Sequence, residues 1–146
     1  MATDRITVLG LWRPAARIPC ALESVRAGFP SVAQDYASGD LSLDERLVEH
    51  PEATFMVRVA GDSMTGAGIF DGDLLVVDRS LDARDGDVVV AVLDGELTVK
   101  RLLRDRHGWY LHAEHPAYPD FRPERFGEGL IWGVVLGSCH PQRGAW

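Results

Sequence analysis

From Thr54 onward the chain never sustains a helical period. Short runs rich in Val, Leu, Ile and aromatic residues fill 54–60, 73–78, 87–93, 96–103, 109–113 and 130–137, and Asp, Gly and Pro separate them. Runs of this length, punctuated in this way, predict strands. Consecutive strands with short connections pair antiparallel. The expected fold is therefore mostly β: a strongly bent or barrel-like antiparallel sheet. One hairpin is explicit. Residues 88–93 and 97–102 flank Asp94-Gly95-Glu96, and Asp-Gly suits a type I′ turn, which needs positive φ at both central positions. Along the second strand Thr98, Lys100 and Leu102 share one face, and Leu97, Val99 and Arg101 the other.

Upstream the pattern differs. Pro14, Pro19 and Pro30 interrupt a segment without a sustained period, which reads as a largely extended arm. Ser42-Leu43-Asp44-Glu45 has the spacing of a capping box, so a short helix over 43–49 is expected, stopped by Pro51. With 146 residues, 46% of them apolar, the chain suits one compact domain plus a tail. The organisation expected is an arm over 1–27, a linker with the short helix over 28–50, and a β-domain over 51–146.

No run approaches the ~18 apolar residues of a membrane helix, and the apolar run 8–12 is too short for a secretory signal. The expectation is a cytoplasmic protein without a membrane partner. In that setting Cys20 and Cys139 default to reduced thiols. The net charge of −7 argues against direct binding of nucleic acid. The charge is also uneven. Residues 1–27 carry four arginines against Asp4 and Glu23, while the remainder carries eleven basic and twenty acidic residues. A basic arm on an acidic body is drawn toward it, less so in salt.

The candidate chemistry starts at Gly61-Asp62-Ser63-Met64, where a predicted strand breaks into a tight turn. Such a corner can present a serine hydroxyl and aim neighbouring backbone N–H groups at one point. Asp62 and Met64 are the candidates for shaping that corner and its oxyanion pocket. By itself the triplet is weak, and a turn-capping serine is the better reading of most Gly-Asp-Ser triplets. A nucleophilic serine needs a base. None of the five histidines has surroundings that suggest a Ser–His–Asp triad. Lys100 is the only lysine, the other fourteen basic residues being arginines. Lysine serves as a base near neutrality only if its pKa falls several units from ~10.4, which apolar surroundings can achieve. Arginine stays protonated. Composition alone favours a lysine guarding a sheet edge.

The motifs together resolve this. Gly61-Asp62-Ser63-Met64, residues 69–78 (IFDGDLLVVD), residues 86–91 (GDVVVA) and residues 94–102 (DGELTVKRL) resemble, in that order, the C-terminal peptidase domain of the LexA/UmuD family of self-cleaving Ser–Lys peptidases. The short arm and residues 27–31 (AGFPS) are similar to the UmuD side of that family, since the chain has no room for a helix-turn-helix domain in front. The resemblance spans Gly28 to about Val135 and includes the 37-residue step from serine to lysine. It implies Ser63 as nucleophile, Lys100 as general base and Ala27–Gly28 as the scissile bond. It further implies a homodimer, self-cleavage stimulated by RecA filaments on single-stranded DNA, and a shortened product that supports error-prone translesion synthesis in the SOS response with a UmuC-type polymerase.

Other signals carry less. His112-Ala113-Glu114-His115 lacks an evident third ligand, so neither a metal nor another cofactor is expected. Trp132 reads as core, Trp12 as an anchor for the arm and Trp146 as a terminus. Two alternatives stand beside the self-cleaving reading: a dimeric polymerase-accessory module that does not cleave, and a Ser–Lys peptidase acting on other proteins.

Overall fold

The computed structural model describes residues 5–11, 18–21, 27–28, 38–127 and 129–144. Seven strands build the main sheet: β1 (Arg5–Leu11), β4 (Thr54–Ala60), β5 (Leu74–Asp78), β6 (Val88–Leu93), β7 (Glu96–Asp105), β8 (Gly108–His112) and β9 (Ile131–Cys139). Their order is β1-β4-β5-β9-β6-β7-β8, every neighbouring pair antiparallel. β2 (Ile18–Ala21) and β3 (Ser38–Leu41) form a separate two-stranded ladder. The main sheet is not closed, since β1 and β8 are its edges. It curls enough for β1 to approach β7.

The six expected strands are all present, within a few residues of their expected ends. β1, β2 and β3 were not anticipated. Part of the arm is indeed extended, but it is also bonded into sheet: Arg5 pairs with Ala60 and Leu11 with Phe55, with a register shift between Val8 and Gly10. Trp12, the expected anchor of the arm, and the terminal Trp146 lie outside the described residues. The helix α1 runs Leu43–Leu47, two residues shorter than expected. Ser42 caps it, its Oγ accepting from Glu45 N–H at 3.4 Å. It ends because Val48 is extended (φ −108°, ψ 113°). Pro51 does not stop α1 but opens the 3₁₀ turn Pro51–Ala53, where its missing N–H costs nothing. The β6–β7 hairpin follows its turn chemistry, with φ 51° at Asp94 and 77° at Gly95.

Two apolar clusters lie on the sheet. Val57, Leu75, Val77, Val90 and Val99 pack with Met64 and Ile69, which come from the segment after β4. Val89, Ala91, Leu102 and Leu111 form the second cluster. Val89 and Val90 are successive residues in different clusters, so β6 is buried on both faces. That explains why it reads as an unbroken apolar run. Trp132 is half-buried against the first cluster and under the guanidinium of Arg79, 4.4 Å from its ring centre.

β5 carries a buried carboxylate at each end. Asp73, just before it, accepts from Phe70 N–H at 2.8 Å and pairs with His140. Asp78, its last residue, lies 2.7 Å from His50 Nδ1 and accepts from Ser80 N–H and Oγ at 2.8 and 2.6 Å. Burial alone would raise the pKa of Asp78, but the bonds from Ser80 and His50 outweigh it and hold it below the ordinary 3.8. The bond to Asp78 in turn holds His50 above 6.5. A raised histidine contributes its stabilisation in full below 6.5, and loses it as pH climbs through the raised value. A lowered carboxylate contributes above 3.8, and loses it as pH falls through the lowered value. The pair therefore acts between those limits. His50→Ala is expected to lower the urea midpoint most at about pH 5 and progressively less toward about pH 9. An equal loss at both ends of that range would exclude the ion pair as the cause.

Candidate functional site

β4 delivers the chain to a corner. Gly61 takes φ 112° and donates its N–H to Asp71 Oδ1 at 2.9 Å, which turns the backbone out of the sheet. Met64, 2% exposed, plugs the first apolar cluster. Its carbonyl accepts from Ala67 and Ile69 at 3.0 and 3.2 Å, closing the 3₁₀ turn Thr65–Ala67. Ser63 stands on this corner with 1% of its surface exposed. Met64 thus fixes the serine by anchoring the next residue in the core.

β7 supplies the other half. Lys100 pairs with Val89 and Thr98 with Ala91, so both side chains rise on the face of two fully buried apolar partners. Lys100 Nζ lies 3.3 Å from Ser63 Oγ, 2.9 Å from Thr98 Oγ1 and 3.0 Å from the carbonyl oxygen of Val99. A carbonyl can only accept, so one N–H belongs to Val99. A neutral amine has two N–H groups and one lone pair. With the second N–H given to Thr98, the lone pair faces the Ser63 hydroxyl. An ammonium would instead donate to all three oxygens. One arrangement therefore serves both protonation states, and only the neutral one can take a proton.

A loop from the far edge supports the serine turn. Glu114 carbonyl oxygen accepts from Gly66 N–H at 2.8 Å. Tyr118 hydroxyl donates to Asp62 Oδ1 at 2.5 Å, and His115 Nε2 lies 3.7 Å from Asp62 Oδ2. Ala117 N–H donates to His115 Nδ1 at 3.0 Å, so a neutral His115 carries its proton on Nε2, toward Asp62. Asp62 is thus an exposed tether for the turn. Ala27 and Gly28 are also exposed, and a Cβ on Gly28 would meet nothing within 4 Å.

Sequence reasoning placed Thr98 on the face of Lys100 but gave it no task. It missed Glu114, Tyr118 and the tether of His115. Strand alternation could have flagged Thr98; nothing local marks contacts that span about fifty residues. His112 of the HAEH motif pairs with Asp120 through Nδ1 at 2.5 Å. Among the described residues no three His, Cys, Asp or Glu side chains are grouped to hold a metal ion. No helix among them is long and apolar enough to cross a membrane.

The family model for Peptidase S24-like proteins matches residues 19–136. The chain belongs to the S24-like peptidases, as a UmuD-type member of the LexA/UmuD family. It is 46% identical over 127 residues to Protein MucA of Escherichia coli, covering 85% of this chain and 86% of MucA. To Protein ImpA of Salmonella typhimurium it is 43% identical over 126 residues, 86% of this chain and 85% of ImpA. To the LexA repressor of Verrucomicrobium spinosum it is 40% identical over 122 residues, 82% of this chain but 59% of the repressor. The S24-like family is one of serine peptidases. Its matched span holds both the Ser63 corner and the Lys100 strand.

A single lysine makes the site directly observable. Protein labelled with ¹³C-lysine is expected to give one Cε signal, and Ser63→Ala and Thr98→Val are each expected to shift it. A signal unmoved by both substitutions would place the amine away from the two hydroxyls.

Proposed function

We propose that this UmuD-type S24-like peptidase cuts its own Ala27–Gly28 bond, with Ser63 as nucleophile and Lys100 as general base. The observation that carries the reading is the 3.3 Å approach of the chain's only lysine amine to a serine hydroxyl that is 1% exposed. Neutral Lys100 takes the hydroxyl proton as Ser63 Oγ attacks the Ala27 carbonyl carbon. Backbone N–H groups of the corner at Asp62–Met64 are, on this reading, the donors to the oxyanion. The C–N bond then breaks, and Gly28 nitrogen leaves with the proton carried by Lys100. Water, deprotonated by the same amine, releases Ala27 from Ser63. One water is consumed in total.

Small residues suit the cut. Ala27 and Gly28 enter a narrow cleft without side-chain conflict, and a tethered bond has a high effective concentration, ~10⁵ M or more in good geometry. The bond is exposed in this conformation, so cutting requires the arm to bring it to Ser63. An activator need only favour that seated state. In the UmuD-type setting that activator is a RecA filament on single-stranded DNA. The processed homodimer then serves a UmuC-type polymerase in SOS mutagenesis, in the cytoplasm. The arm over 1–27 and the linker over 28–50 are, on this reading, substrate and tether of the β-domain over 51–146.

The test is incubation of the purified chain at about pH 7 and about pH 10, read by intact mass. Cutting is expected to quicken with pH, because only deprotonated Lys100 acts. Ser63→Ala and Lys100→Ala are each expected to slow it by about 10³-fold or more. Fragments that do not meet at Ala27–Gly28 would refute the site; persistence of cutting in Ser63→Ala would refute the nucleophile. The β1–β4 ladder makes a second prediction. Residues 5–11 are paired with β4 in the intact chain, and a cut at 27 breaks none of those pairings directly. Native mass spectrometry is expected to find the nicked protein first at the mass of the intact chain plus one water. Immediate appearance of the separate body would show that the ladder does not hold the arm.

A further inference from the structure

We propose that Glu114 is a positioning residue that couples the strand of Lys100 to the turn of Ser63; this rests on the reading of those two residues given above. β8 pairs with β7, Arg101 standing opposite His112. Two residues beyond, Glu114 works in both directions. Its carboxylate Oε1 holds Arg101 Nε at 2.6 Å, and Arg101 is the neighbour of Lys100. Arg101 is fixed from the other side by donating to Gly86 carbonyl oxygen at 2.6 Å. The backbone carbonyl of Glu114 meanwhile receives Gly66 N–H, three residues after Ser63.

The approach at Gly66 is close. A Cβ there would sit 2.7 Å from the Glu114 carbonyl oxygen, nearer than packed atoms tolerate, so glycine is required for the turn to lie against this loop. The two links make one residue a spacer between nucleophile and base. Both side chains of the Arg101–Glu114 pair are about three-quarters buried, at 27% and 26% exposure, and sit within a bonded framework. That separates the pair from the exposed surface bridges that contribute little. Among the described residues the carboxylate also faces the titratable His112, whose Nε2 is 3.9 Å from Oε2 and whose Nδ1 is taken by Asp120. Reactive geometry is unforgiving, since a misplacement of about 1 Å can cost on the order of 10²-fold in rate.

The experiment uses the full chain, with the self-cleavage rate and the single ¹³C-lysine signal as readouts. Glu114→Ala is expected to cut about tenfold or more slowly and to shift the Lys100 signal. Glu114→Gln keeps an oxygen to accept from Arg101 and is expected to retain a rate within about threefold of the unaltered chain. Arg101→Ala should mimic Glu114→Ala, and the double variant should be no slower than the slower single, as for two parts of one link. Gly66→Ala should slow cutting through the second contact. Should Glu114→Ala fail to fold, Arg101→Ala reads the same link from the other side. The proposal is overturned if Glu114→Ala or Arg101→Ala cuts at the unaltered rate, or if Glu114→Gln is as slow as Glu114→Ala. Absence of cutting in the unaltered chain overturns the parent reading instead. The lysine signal still decides on Glu114, because an unmoved signal in Glu114→Ala excludes the link.

Discussion

The approach of Lys100 to Ser63 depends on the curl of the sheet. The serine follows β4 and the lysine lies on β7, with β5, β9 and β6 between them. In a flat sheet four strand spacings of about 4.8 Å separate the two by about 19 Å. Bending closes that gap to a hydrogen bond. Register shifts between Val76 and Val77 in β5 and between Val90 and Ala91 in β6 are irregularities of the kind that increase twist and bend a strand. The packing that maintains the bend is the first apolar cluster. It joins Val57 of β4, Val90 of β6 and Val99 of β7 to Met64 on the serine's own turn. A loss of packing there is expected to separate Ser63 from Lys100.

The same geometry explains which parts of the structure could be read from the sequence. β4 to β9 were legible because each is a short apolar run between turn residues, and a positive φ at Asp94 follows from Asp-Gly. Lys100 stood out because a chain that otherwise uses only arginine keeps one lysine. The supports were not legible. Tyr118 meets Asp62 across 56 positions, and Glu114 meets Gly66 through a backbone carbonyl that any residue has. Such contacts are products of topology, and no local pattern encodes them. β1 failed for another reason. Its run is interrupted by Gly10, at the point where its pairing with β4 shifts register, so the alternation that marks a strand is broken.

If the chain cuts itself at Ala27–Gly28 as proposed, β1 changes what the cut accomplishes. Were the arm a free tail, hydrolysis at Ala27–Gly28 and departure of residues 1–27 would be one event. Residues paired from Arg5–Ala60 to Leu11–Phe55 make them two. Hydrolysis removes only the tether, and with it the high effective concentration that keeps the strand in place. Departure then exposes the N–H and C=O groups of β4, and an unpaired edge is a surface that other extended segments can join. β4 leads directly into the Ser63 corner, so the edge that β1 covers and the proposed cutting site share one strand. The charge imbalance acts in the same direction: a basic arm is held to an acidic body until salt or a partner weakens the attraction.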